Sequence, residues 1–102
     1  MNTDSTGAQT LQEIWVGLDL AKATFEAAIF LQSDKTKGEQ FPTTQAGVKR
    51  LLEWCDAQLK QRNLEGRLRF VMEATSSYSL RVFSWLYELR PDSAPAIINP
   101  HY

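Results

Sequence analysis

From residue 14 to residue 20 large apolar side chains alternate with others: Ile14, Val16, Leu18 and Leu20 fall in one phase, Trp15, Gly17 and Asp19 in the other. Period two with β-branched residues predicts a strand that buries one face. Its opposite face carries an acid near the strand's end, beside a glycine. A short link through Ala21 and Lys22 leads to residues 23–31, again extended in character, and Ser33-Asp34-Lys35-Thr36-Lys37-Gly38 reads as a polar turn. A third short strand is expected over residues 39–43. Links this short cannot make parallel crossovers, which need a dozen or more residues, so the chain should open as an antiparallel meander.

The period then changes. Val48, Leu51, Leu52, Cys55 and Leu59 fall at helical spacing, which predicts a helix to about Arg62 with Thr43 or Thr44 as its cap. Asn63-Leu64-Glu65-Gly66 breaks it, and residues 67–73 return to alternation, with Leu68, Phe70 and Met72 opposite Arg69, Val71 and Glu73. This fourth strand also ends in an acid. Ser76 or Ser77 can cap a second helix whose apolar face is Val82, Phe83, Leu86 and Leu89 and which Pro91 stops. Residues 94–99 read as a fifth strand. The order strand-strand-strand-helix-strand-helix-strand predicts an α/β mixed sheet with helices packed against it and the fifth strand parallel to the fourth. Residues 1–12 are small or polar and are expected to form a flexible tail, leaving residues 13–102 as the domain.

Composition narrows the classes. With 102 residues, 43% hydrophobic, 23% charged and a net charge of −1, the chain can build one core and is neither a polybasic tail nor an acidic disordered segment. No apolar stretch approaches the roughly 20 residues that span a bilayer, and the first residues lack the basic flank and apolar block of an export signal. A single Cys55 cannot close an internal disulfide and fits a reducing compartment, so a cytoplasmic location is expected.

If the first and fourth strands are parallel neighbours, Asp19 and Glu73 project from their carboxyl ends, where open α/β sheets hold ligands. Two acids at one sheet edge repel unless something neutralises them. A divalent cation with oxygen ligands is the natural partner, and Mg²⁺ is commonly held by one or two carboxylates together with substrate phosphates. In a two-metal site the ions clamp the attacking and leaving oxygens of a phosphodiester. The competing reading is that each acid is a solvated strand-end residue or a helix N-terminal charge, because 12 acids in the chain offer many accidental pairings.

The string Val16-Gly17-Leu18-Asp19-Leu20-Ala21-Lys22-Ala23-Thr24-Phe25 resembles the opening strand of the DEDD-type insertion-sequence transposases, the bridge-RNA-guided recombinases. Three further stretches are similar to that family in order and spacing: Thr43-Thr44-Gln45-Ala46-Gly47-Val48, Val71-Met72-Glu73-Ala74-Thr75-Ser76-Ser77-Tyr78, and Ile98-Asn99-Pro100. The resemblance implies an RNase H-like, RuvC-like fold, incomplete at its C-terminus, in which Asp19 and Glu73 are the first two of four Mg²⁺-binding catalytic carboxylates. It implies that the other two, and a domain bearing a serine nucleophile, lie beyond residue 102. DNA would be the substrate, with guide RNA, the rest of the transposase and further copies of the chain as partners, and the nucleoid as the place of action. Ser76-Ser77 stand where paired glycines are common in the family, which restricts the backbone after Glu73.

Other residues carry weaker signals. Lys22, Thr75 and Tyr78 are candidate nucleic-acid contacts, against the readings of a solvated lysine and an aromatic that covers the core. His101, the single histidine, is a poor metal candidate so near the end, and Cys55 on the apolar stripe reads as a small buried hydrophobe. Trp54 and Trp85 are expected to be half-exposed. Lys49, Arg50, Lys60, Arg62, Arg67 and Arg69 are interrupted by Glu53, Asp56 and Glu65, and a pI near 5.8 favours a mixed solvated surface over a basic patch. The alternative function is a non-catalytic remnant that self-associates through apolar surface. An actin-like or sugar-kinase-like nucleotide lobe would want glycine soon after the aspartate, and Leu20-Ala21-Lys22-Ala23 has none. A Holliday-junction-resolvase-like nuclease shares the first acid but not the later motifs.

Overall fold

A computed structural model of the chain describes residues 12–74 and 77–99. Thr75 and Ser76, the tail to Leu11 and residues 100–102, including His101, lie outside the described residues. Five strands, β1 (Glu13–Leu20), β2 (Thr24–Phe30), β3 (Glu39–Pro42), β4 (Arg67–Glu73) and β5 (Ala96–Ile98), form one sheet in the order β3-β2-β1-β4-β5. β1 pairs antiparallel with β2 and β2 with β3, whereas β1–β4 and β4–β5 are parallel. This is the expected mixed sheet, and its order is compatible with an RNase H-like fold.

The two helices, α1 (Gln45–Gln61) and α2 (Ser77–Leu89), pack on one face of the sheet. In β1 the buried residues are Ile14, Val16, Leu18 and Leu20, the apolar phase of the alternation, and they form a single core with Phe25, Ala27 and Ile29 of β2 and with Leu68, Phe70 and Met72 of β4. α1 adds Val48, Leu51, Leu52, Cys55 and Leu59; α2 adds Val82 and Leu86. Thr44 caps α1, its side chain accepting from the Gly47 amide at 2.9 Å. Thr43 instead ties the β1–β2 turn, donating from its backbone to Ala23 O at 2.9 Å and from its hydroxyl to Ala21 O at 3.0 Å. Trp54 and Trp85 are half-buried against the core, Trp54 meeting Phe41 edge-on at 5.8 Å between centroids.

Two strand boundaries and one packing assignment differ from those expected. β3 ends at Pro42 because Thr43 turns to the β1–β2 link. β5 begins only at Ala96, since Pro91–Ser93 forms a 3₁₀ turn and Ala94 takes a left-handed backbone, φ 43°. Phe83 does not belong to the packed face of α2. It stacks on Tyr87 one turn later, centroids 6.1 Å apart, on the solvent side.

Candidate functional site

The second face of the sheet carries no helix among the described residues. Its residues are the other phase of each strand: Trp15, Gly17 and Asp19 on β1, Glu26, Ala28 and Phe30 on β2, and Arg69, Val71 and Glu73 on β4. The register fixes how they meet. Leu18 pairs with Met72 across the parallel β1–β4 ladder, so Asp19 and Glu73 are the next residues on adjacent strands, which run about 4.8 Å apart. Both are exposed at the carboxyl ends of their strands. On the other side Asp19 pairs directly with Glu26 across the antiparallel β1–β2 ladder. A row Glu73, Asp19, Glu26 thus crosses the sheet.

These residues line a cavity of about 730 Å³ on the open face. Gly17, Ala28 and Val71 form its floor, and Lys35, Thr36, Lys37 and Gly38 from the β2–β3 connection form one wall. The Phe30 ring covers Gly17, lying 2.9 Å from where its Cβ would stand. Like charges on neighbouring strands oppose folding unless a counterion compensates them, and among the described residues the ion pairs lie elsewhere. Arg69 meets Glu13 at 2.7 Å and sits over the Trp15 ring, 5.0 Å from its centroid; Arg90 meets Asp56 at 2.9 Å. Arg69 is therefore engaged at the opposite end of β1. The Arg90 guanidinium is held above its ordinary value chiefly by the hydrogen bond to Asp56.

The donor chemistry can be judged from these positions. Asp19 and Glu73 offer oxygen ligands only, exposed and in no ion pair among the described residues, which suits a hard divalent ion and not a soft one. No three His, Cys, Asp or Glu among the described residues come together closely enough to enclose a metal. An ion on this pair would leave coordination positions open to water and phosphate oxygens, as Mg²⁺ sites commonly do.

Of the other residues singled out in the sequence, Lys22 is exposed in the β1–β2 turn and outside the cavity lining, and Tyr78 is half-buried in the first turn of α2. Thr75 is not among the described residues. Cys55 is fully buried, and burial pushes its thiol up to about 12, as befits a small hydrophobe. Sequence reasoning missed Glu26, Lys35 and Lys37. Glu26 was readable: a tight antiparallel turn places Asp19 and Glu26 equidistant from its centre, on one face.

Comparison with known proteins agrees with this topology. A family model described as a transposase, the DEDD type of IS110, matches residues 16–100, from the second buried residue of β1 to just past β5. No curated protein matches the chain.

Proposed function

The chain belongs to the IS110 type of the DEDD transposase family, and on that premise we propose that Asp19 and Glu73 are catalytic carboxylates that hold Mg²⁺ for cleavage and exchange of DNA strands. The observation that carries this reading is their side-by-side position at the carboxyl ends of β1 and β4, facing an open cavity and in no ion pair among the described residues. The cation would polarise a phosphodiester oxygen and neutralise charge that develops on the attacking and leaving oxygens. Asp19 and Glu73 would hold it at the sheet edge; Gly17, with no side chain, makes room next to Asp19 for the edge of the Phe30 ring. The two further carboxylates of the family's set, and the serine nucleophile, would come from outside the described residues. Guide RNA and further copies of the chain are the partners this reading includes.

With two of four acids, the chain alone should bind Mg²⁺ weakly and cleave DNA little. The test is calorimetric titration of Mg²⁺ into the chain and into the Asp19→Asn and Glu73→Gln variants. A millimolar dissociation constant that either substitution abolishes is expected. Equal binding by all three proteins would remove the pair from the metal site.

A second reading, an interaction module without catalysis, draws on one observation: Leu80 and Tyr87 on the outer side of α2 are 63% and 60% exposed, with Phe83 between them. Sedimentation at tens of micromolar separates the two. A dimer dispersed by Leu80→Glu, with no Mg²⁺ binding, would favour the module.

A further inference from the structure

We propose that the connection 31–38 is a phosphate-contacting wall that holds the DNA strand beside the Asp19/Glu73 edge, with Lys35 and Lys37 as its contacts. The inference rests on the reading of that edge as a DNA-processing site, and assigns it a means of positioning substrate.

The wall begins with a buried threonine. Thr36 is 6% exposed, and its hydroxyl oxygen accepts from the Ile29 amide at 2.9 Å while its own amide donates to Ile29 O at 2.9 Å. Threonine can do this because its hydroxyl accepts and its methyl packs. Lys35 forms a bridge with Phe30, its amide donates to the Asp34 carboxylate at 2.7 Å, and the Leu31 amide closes the turn onto Asp34 O at 2.6 Å. The connection is thus tied to β2 at several points. Lys35 and Lys37 flank Thr36 in an extended stretch, so while Thr36 turns inward both lysines are carried outward together.

Their place decides their meaning. Among the described residues, Lys35 and Lys37 are the cationic ones lining the cavity that Asp19, Glu26 and Glu73 also line. Neither makes an ion pair among the described residues. In a chain of net charge −1, two free lysines on a braced connection facing a carboxylate edge form a local cationic strip beside an anionic one. A metal at the carboxylates would draw in one phosphate. The lysines would grip phosphates further along the same strand, fixing its path without reading its bases. The exposed Lys22 lies outside this cavity, and Lys49 and Arg50 are exposed on α1, across the sheet.

The experiment compares two variants of equal charge, Lys35→Gln with Lys37→Gln and Lys49→Gln with Arg50→Gln. Binding of a short fluorescein-labelled DNA duplex is followed by anisotropy over a NaCl series. EDTA is present throughout, so a failure of the carboxylates to hold Mg²⁺, read from the titration above, leaves this result standing. Each lost phosphate contact should lower the slope of log affinity against log salt by about 0.9, so the wall variant should lose about 1.8 and the α1 variant close to none. All substitutions are at exposed positions, and thermal melts confirm folding. Equal loss in both variants, no loss in the wall variant, or no binding by the intact chain at low salt would overturn the proposal. An RNA duplex of the same sequence is run alongside, and a loss confined to RNA would overturn it as well.

Discussion

The two faces of the sheet are made by the same strands and differ in almost everything else. On the packed face Val16, Ile29 and Phe70 are wholly buried under α1 and α2. On the open face their neighbours Trp15 and Phe30 are 41% and 48% exposed, and Asp19, Glu26 and Glu73 share an edge with two lysines opposite. The packed face is where the free energy of folding is gained, because apolar area leaves water there. The open face keeps charges in water at some cost in mutual repulsion. Stability and the proposed chemistry therefore reside in alternate residues of the same strands.

Consecutive residues of β4 offer the sharpest contrast. Phe70 points into the core and Val71 into the open cavity. Phe70→Ala should cost about 3–5 kcal/mol, the usual penalty for emptying a buried aromatic site. Val71→Ala should cost roughly 1 kcal/mol or less, since water can refill the space. Guanidinium denaturation of both variants tests this, and similar losses would mean that the second face is also packed in solution.

Two glycines repeat the contrast at backbone level. A Cβ on Gly47, in the first turn of α1, would collide with the Pro42 carbonyl, which is backbone and cannot swing aside. Gly47→Ala should cost about 3 kcal/mol. A Cβ on Gly17 would come within 2.9 Å of Phe30 Cε2, the edge of a half-exposed ring that can turn away. Gly17→Ala should cost less than about 1 kcal/mol, with thermal melts as the measurement.

Cys55 extends the contrast to pH. Its thiol sits in the packed layer and is pushed from an ordinary value of 9.0 up to about 12 by burial first, with the Asp56 charge adding to it. A folded value above the unfolded one means that the stability it contributes is complete below pH 9 and is lost as pH climbs toward 12. Between pH 9 and 11 the loss should be about 2–3 kcal/mol. Cys55→Ala should thus be less stable than the parent at pH 8, by about 1 kcal/mol for the lost packing, and more stable at pH 11. Denaturation at the two pH values would reveal the crossing, and parallel curves would show a solvated thiol.

How far the sequence foretells this molecule follows the same division. Period-two and helical spacing reflect burial, so β1, β4 and α1 could be read closely from Ile14, Phe70 and Leu51 and their repeats. Where geometry depends on single hydrogen bonds, the pattern is silent. The 3₁₀ turn is closed by the Ser93 hydroxyl donating to Arg90 O at 2.7 Å, and it shortens β5 without altering any periodicity. Phe83, adjacent to Val82, carries the hydropathy of a core residue but turns outward to Tyr87. At the edge, Asp19 and Glu73 stood out because each ends an alternating run. Lys35 and Lys37 looked like ordinary turn residues because their position depends on Thr36 pairing with Ile29, a contact between residues seven apart that no periodicity encodes.

The smallest expected effect concerns the edge itself. Carboxylates on adjacent strands repel, and cross-strand pairs of this kind are worth about 0.2–1 kcal/mol. Asp19→Asn should therefore raise stability by about 0.5 kcal/mol in EDTA at low ionic strength, and added NaCl should shrink the gain by screening. Mg²⁺ should reverse the order. An ion that binds only the folded chain at a millimolar dissociation constant adds about 1.4 kcal/mol at tenfold excess, and Asp19→Asn, having lost a ligand, should gain little. The parent would then be the more stable protein in Mg²⁺ and the less stable in EDTA, whereas a solvated, unused Asp19 would leave the order of the two proteins unchanged by the metal.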